Sequence, residues 1–321
     1  MEFAPTPIQF LWEDEQGNRL YVKREDLLPY SFGGNKVRIG LEYLADMERQ
    51  GKDHLIAYGN ARSNLCRVLS NLCCAKGIPC TILSPADDDG QRRPSFNQRF
   101  CEGFGAQIVP CLKTGVRETV ERALNESERQ GRKPYYIYGD ATGEGNRATP
   151  VRAYRKLWPE LLRQQAELGF SFDRLFLASG TGMTQAGLLC GRLLDGGSME
   201  IHGVSIARSE ENGKAHVRRF LEAFLGEEYH GPEIQFTDRY ALQYGVSTPE
   251  MAACAREVFR RYGMPMDLTY VGKAYYGMTQ EIRRLGLRGE RILFLHTGGT
   301  PLFFDKYHPE VLFCSFEPVV L

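Results

Sequence analysis

The feature that most restricts the fold of this chain is the regular exchange, from about residue 34 onward, of helix-like segments with short apolar runs. Helical patterns over Asn35–Gln50, Ser63–Lys76 and Ser95–Phe104 precede the runs Leu55–Gly59, Pro79–Leu83 and Gln107–Pro110. A further helix, Val116–Gln130, sets Val116, Val120, Ala123 and Leu124 on one stripe and leads into Tyr135–Tyr138. An apolar stripe on an otherwise charged helix packs against a sheet. The pattern resumes with a long helix over Tyr154–Leu168, then strands at Leu175–Ala178, Ile201–Ile206 and Ile292–Leu295 with helices between them. Near-continuous apolar strands separated by helices predict an α/β fold of mainly parallel sheets covered on both faces. Ligands of such sheets bind beyond the carboxyl ends of the strands.

A length of 321 residues suits two domains or one large α/β unit. Forty basic residues balance forty acidic ones, so no global field favours nucleic acid or an anionic membrane. No run approaches the roughly 20 apolar residues that span a bilayer. Met1–Pro7 lacks the basic and apolar regions of a signal peptide. The nine cysteines form no CxxC pair, which predicts reduced thiols, a cytoplasmic location and no metal site. Pro85–Pro94, with three consecutive aspartates, reads as a surface loop.

Four segments could converge on one ligand. Ser31–Arg38 carries Gly33-Gly34-Asn35-Lys36 at a helix start, with Asn35 a suitable N-cap. Lys36 there sits at the positive end of the helix dipole, which favours a neutral, nucleophilic amine; by itself such a stretch is also an ordinary surface turn. Gly59–Asn64 follows a strand and offers backbone N–H groups to a carboxylate, or is simply a helix cap. Ala178–Gly187 contains Ser-Gly-Thr-Gly-Met-Thr leading into a helix, where Gly180, Thr181, Gly182, Met183 and Thr184 form a candidate phosphate cup. It lacks the lysine of a P-loop and the spacing of a dinucleotide fingerprint. His296–Pro301 places Thr297 and two glycines after the last strand; His296 alone suits a structural role better than a catalytic one.

In this order the four segments resemble the fold-type II enzymes that use pyridoxal 5'-phosphate (PLP), and more narrowly the 1-aminocyclopropane-1-carboxylate (ACC) deaminase/D-cysteine desulfhydrase family. The resemblance also covers Tyr21–Asp26, Tyr240–Gly245 and Asp267–Lys273, and runs from Thr6 to about Phe304. It implies two open, mainly parallel twisted sheets of the tryptophan synthase β type. Residues 1–50 with 158–321 would form a larger PLP-binding domain and 51–157 a smaller inserted one. It implies that Lys36 carries PLP as a Schiff base, that Asn64 bonds its phenolic oxygen and that Gly180–Thr184 hold its phosphate. Ser63 would meet the substrate carboxylate or transfer a proton. Tyr244 and Tyr270 would lie over the substrate, one of them an acid or base. The implied partners are a small amino acid and a second copy of the chain in a homodimer.

Three positions depart from the family pattern. Val271 stands where ACC deaminases have a glutamate, and Thr297 where they have a leucine, as D-cysteine desulfhydrases do not. Valine cannot hydrogen-bond or ionise, so Val271 would leave Thr297 to supply a neutral bond to the cofactor ring. Leu65 replaces a usual glutamine or histidine beside the substrate. The expected reaction is therefore α,β-elimination on a small amino acid, D-cysteine desulfhydrase-like, releasing ammonia and a 2-oxo acid. ACC deamination, β-replacement, racemisation and a non-catalytic binding protein are the alternatives.

Overall fold

The computed structural model describes residues 3–86 and 95–307. The first half of the chain runs β1 (Ile8–Glu13), β2 (Arg19–Lys23), α1 (Asn35–Arg49), β3 (His54–Tyr58), α2 (Asn64–Lys76), β4 (Cys80–Pro85), α3 (Phe96–Gly103), β5 (Gln107–Cys111), α4 (Val116–Arg129) and β6 (Pro134–Tyr136). The second runs α5 (Ala148–Arg155), α6 (Leu157–Leu168), β7 (Arg174–Ser179), α7 (Met183–Asp195), β8 (Glu200–Ser205), α8 (Glu210–Leu225), β9 (Gln235–Thr237), α9 (Pro249–Tyr262), α10 (Val271–Arg284), β10 (Arg291–Leu295) and α11 (Thr300–Lys306).

These strands form a six-stranded sheet, ordered β1-β2-β10-β7-β8-β9, and a four-stranded one, β5-β4-β3-β6. Only β1 and β2 pair antiparallel; the remaining strand pairs are parallel. The α/β architecture with two mainly parallel sheets is thus present. The β1–β2 hairpin is absent from the periodicity because β1 is a sheet edge whose burial does not alternate, with Phe10 and Glu13 exposed and the pairing register shifted between Phe10 and Trp12. The helix expected over Tyr154–Leu168 is two helices, α5 and α6, that meet at Lys156. Pro159 has no N–H to give the carbonyl four residues back, so the helix cannot run unbroken through this point. The expected loop at Pro85–Pro94 lies, from residue 87 on, outside the described residues. None of the eight described cysteines is in a disulfide, and six of them are buried. No helix among the described residues is long and apolar enough to cross a membrane.

Register puts the chemistry-bearing segments side by side. Leu295 lies opposite Leu177, and Ser179 opposite Ser205. The chain leaving β10, β7 and β8 therefore emerges at one edge of the larger sheet. β3 of the smaller sheet delivers Gly59–Asn64 from another direction.

The start of α1 is anchored by buried charge. Arg38 Nε lies 2.7 Å from Glu25 Oε2, and Arg38 Nη2 lies 3.0 Å from Glu160 Oε2. Lys23 Nζ meets Glu160 Oε1 at 2.5 Å, while the Tyr154 hydroxyl donates to Glu25 Oε2 at 2.8 Å. The network ties α1 to β2, α5 and α6. Burial of Glu25 disfavours its charge, but Arg38, Thr6 and Lys23 together hold its carboxyl below the ordinary 4.5. A carboxylate held below its unfolded value contributes stability that is complete above that value and is lost as pH falls through the folded one. Glu25→Gln is expected to cost on the order of 3 kcal/mol, read as a lower urea midpoint at neutral pH that converges with the parent under acid. Equal midpoints at neutral pH would show that the network does not anchor the helix.

Candidate active site

The segment before Lys36 is strained and held from outside. Tyr30, Ser31 and Phe32 all have positive φ, 72°, 45° and 63°, a left-handed run costing roughly 1–2 kcal/mol per non-glycine residue. Arg67 Nη1, from α2, donates to Ser31 Oγ at 2.9 Å and braces the run. Gly34 follows with φ 98°, and a Cβ there would fall 2.8 Å from the Thr297 carbonyl oxygen. A Cβ on Gly298 would fall 2.5 Å from Gly34 Cα, so this backbone contact requires glycine on both sides. The Asn35 N–H then donates to Thr297 O at 3.1 Å. Gly34, rather than Asn35, is the N-cap of α1. The Asn35 side chain turns instead to Thr184, Nδ2 to Oγ1 at 2.9 Å.

Lys36 thereby enters a cavity of about 520 Å³. Its side chain is half-buried because it faces open space, yet protein surrounds it closely enough that burial lowers its pKa from 10.5 to about 8. The helix N-terminus acts in the same direction. Ser63, Asn64 and Leu65 line the same cavity, with Gly180–Thr184, Tyr244, Tyr270 and Thr297. Among the site residues expected from sequence, Val271 alone is outside the lining. It is packed in the apolar cluster with Phe176, Val204 and Ala274, and its N–H bonds to Asp267 Oδ2 at 3.3 Å. His296 is also outside: its Nδ1 accepts from Gly298 N–H, its Nε2 contacts the Pro265 carbonyl, and burial lowers its pKa.

Hydrogen bonds fix the polarity of the lining. Asn64 Oδ1 accepts from Asn97 Nδ2 at 2.9 Å and from Arg67 Nη2 at 3.3 Å. With its oxygen occupied, Asn64 presents its amide N–H groups to an acceptor in the cavity. Ser63 caps α2 by accepting from Cys66 N–H at 3.2 Å, so its hydroxyl hydrogen is left to donate. Thr184 Oγ1 accepts from Asn35 and likewise keeps its own hydrogen. No side chain caps α7, whose N-cap is Gly182 at φ 92°; its leading N–H groups suit an anion.

Across the cavity the Tyr244 and Tyr270 hydroxyls are 2.5 Å apart and their rings meet edge to face. Burial raises the Tyr244 phenol to about 12, while Tyr270 and Arg62 pull it back down. Burial and the neighbouring Tyr244 raise Tyr270 well above its ordinary value. Tyr244 is thus held less far above the ordinary phenol value than Tyr270, and either hydroxyl can donate in the bond between them. Tyr270 is placed by Asp267, whose Oδ1 accepts the N–H groups of Thr269 and Tyr270 at 2.9 and 2.8 Å. Asn35, Ala178, Ser179 and Gln185, from the segments already marked, also line the cavity, and Tyr138 and Ile206–Arg208 complete the lining without having been singled out from sequence. Ile206–Arg208 follow β8, so the rule of inspecting strand ends would have found them. Asn97, on α3, carried no local signal.

A donor-rich cup, an amine of depressed pKa and an amide aimed by its neighbours match a ligand with a phosphate, an aldehyde and a phenolate oxygen. The profile of pyridoxal-phosphate dependent enzymes matches residues 1–298. The chain belongs to this family. Its cofactor is accordingly pyridoxal 5'-phosphate, and the enzyme is of the D-cysteine desulfhydrase/ACC deaminase type. It is 31% identical to a D-cysteine desulfhydrase of Serratia proteamaculans (strain 568), over 96% of this chain and 95% of the relative. The crystal structure of an ACC deaminase homologue superposes with a TM-score of 0.79 at 28% identity, covering 96% of this chain and 93% of that one. An O-acetylserine dependent cystathionine β-synthase from Helicobacter pylori shares the fold, at a TM-score of 0.63 and 17% identity, over 95% of each chain.

The depressed pKa of Lys36 predicts its reactivity in this PLP enzyme once the cofactor is removed. An amine reacts when neutral, so labelling of Lys36 by an amine-selective reagent should rise with pH to a midpoint near 8. Peptide-level mass spectrometry reads that midpoint, and a profile centred on the ordinary 10.5 would contradict the burial effect.

Proposed function

We propose that this enzyme is a PLP-dependent lyase that carries out α,β-elimination on a small amino acid, of D-cysteine desulfhydrase type, releasing ammonia and a 2-oxo acid. The observation that carries this reading is the convergence, around one cavity, of a lysine of depressed pKa, a phosphate cup and a paired-tyrosine acid. When bound, PLP supplies an electron sink for negative charge developing at the substrate α-carbon. The chain's own residues do the rest.

Gly180–Thr184 hold the phosphate through backbone N–H groups and the Thr181 and Thr184 hydroxyls. Asn64 donates to the phenolic oxygen. Thr297 offers the ring a neutral hydroxyl, and Val271, packed in the core, adds no charge there. A ring without an ionised partner is a weaker sink, which suits a substrate whose β-substituent leaves readily better than one requiring an unactivated ring to open. Lys36 would take the substrate α-proton; its lowered pKa favours a base near neutral pH. Tyr244, hydrogen-bonded to Tyr270, protonates the departing β-substituent. The Ser63 hydroxyl donates to the substrate carboxylate. Leu65 leaves that end of the cavity less polar. Residues 1–50 with 158–321 are read as the larger, cofactor-binding domain and 51–157 as the smaller; strand membership of the two sheets supports the division. The enzyme is further read as a cytoplasmic homodimer.

Purified protein should be yellow and become permanently modified at Lys36 on borohydride treatment. Lys36→Ala should lose both properties. Pyruvate, ammonia and sulfide, assayed with a panel of D- and L-amino acids and ACC, should appear together from a β-thiol substrate alone. A substituted amino acid formed only when a second nucleophile is supplied, with no pyruvate in its absence, inversion of the α-carbon without product release, or turnover of ACC would move the reading to β-replacement, racemisation or deamination respectively. Tyr244→Phe should lower kcat about 10²-fold or more with a poor leaving group while the yellow band persists. Unchanged turnover would remove Tyr244 as the acid.

A further inference from the structure

The strand end at β8 brings to the cavity a charged side chain that has no role in the reading above. Ile206, Ala207 and Arg208 line the wall next to the cup. The turn that presents Arg208 is closed on itself: Ser205 Oγ donates to the Arg208 carbonyl at 2.7 Å and accepts the Arg208 N–H at 2.9 Å. The guanidinium then reaches back across the end of β7. Its Nε donates to the carbonyl oxygen of Gly180, the first residue of the cup, at 2.8 Å. Its Nη1 donates to His216 Nε2 at 3.0 Å, which requires that nitrogen unprotonated. Burial, and then Arg208 itself, lower the His216 pKa accordingly. No hydrogen bond among the described residues uses Nη2.

The charge on Arg208 is uncompensated. Arg38 and Arg174, which are also largely withdrawn from water, each hold two carboxylates. Among the described residues no carboxylate lies within ion-pair distance of Arg208, and burial alone acts on its pKa, lowering it. A half-buried cation without an anion is unfavourable unless one binds. The cup has the complementary deficit. Its donors are backbone N–H groups and hydroxyls, and the neighbouring Lys36 is held towards its neutral form. A helix N-terminus supplies only about half a positive charge, while a phosphate monoester carries nearly two negative ones.

We propose that Arg208 is the charged partner of the cofactor's phosphate, completing a cup whose other donors are neutral. Bonding to Gly180 through Nε orients the guanidinium plane and leaves the Nη2 edge for phosphate oxygen. The proposal rests on reading Gly180–Thr184 as the phosphate cup, and the two can fail separately.

The test compares PLP with pyridoxal, which has the same aldehyde, phenol and ring but no phosphate. The full-length protein is stripped of cofactor, and each compound is titrated while the yellow band is followed. The parent should bind PLP far more tightly than pyridoxal. Arg208→Gln should weaken PLP binding by about 10- to 100-fold, the worth of a charge-assisted hydrogen bond, and leave pyridoxal binding unchanged. Arg208→Lys should retain most of the preference, and Arg208→Met, which keeps the apolar stem, should behave as Arg208→Gln. Unchanged pyridoxal binding also reports an intact cavity in each variant. Equal losses for both compounds would make Arg208 a brace for the Gly180 turn and overturn the proposal, as would a parental PLP preference in Arg208→Gln. A parent that does not prefer PLP would instead overturn the cup itself.

Discussion

Everything chemical in this enzyme depends on a contact between two stretches of bare backbone. The turn at Gly33-Gly34 lies against Thr297-Gly298, close enough that a single methyl group on Gly34 or Gly298 would collide with main-chain atoms. The Asn35 N–H to Thr297 O bond closes the contact. It fixes the first turn of α1 at the carboxyl end of β10, and with it Lys36 and Thr297 in one wall. Asn35 then extends the same joint to Thr184 at the head of α7. One hydrogen-bonded corner therefore sets the separation between the Lys36 amine, Thr297 and the head of α7.

Around this corner, most of the buried charge lies beside the cavity, with Arg208 the charged side chain in its described lining. The ionic network of Lys23, Glu25, Arg38 and Glu160 lies behind α1, where it anchors the helix that must carry an uncharged lysine. Arg67 sits behind Asn64, spending one arm on the strained Ser31 and another on the amide oxygen. Both arrangements use a fixed cation to orient a neutral group. In such a setting Lys36 can work as a nucleophile and a base near neutral pH, because the protonated form has lost solvent without gaining a carboxylate. The tyrosine pair follows the same logic: each phenol is raised by burial, while the bond to Tyr270 and the Arg62 charge draw Tyr244 back down.

Much of this was legible in the residues. The apolar strands and striped helices specify parallel sheets because a strand covered on both faces must be apolar along its whole length. Lys36, Asn64, the Gly180–Thr184 turn and Thr297 could each be located by looking just past a strand or at a helix start. The hairpin of β1 and β2 could not, since β1 is irregularly buried, with a register shift between Phe10 and Trp12, and so lacks the alternation of a half-exposed strand. The break between α5 and α6 was marked by Pro159 but overridden by the surrounding helical pattern. Val271 was placed correctly along the chain, next to Tyr270, yet its side chain belongs to the core: neighbouring residues at the head of a helix point in different directions.

The sequence by itself determined the fold class and located Lys36 at a helix start and the glycine-rich turns after the strands, because these depend on local periodicity and on backbone freedom written residue by residue; the roles read for them come from the family resemblance. Tertiary structure decided which polar atoms remain for a ligand. Asn64 is a donor because Asn97 and Arg67, 33 and 3 residues away, occupy its oxygen. Arg208 faces the cup because β8 lies in register beside β7. Hydrogen-bond saturation and desolvation are properties of an assembled neighbourhood, set by contacts between distant parts of the chain, and no local pattern encodes them.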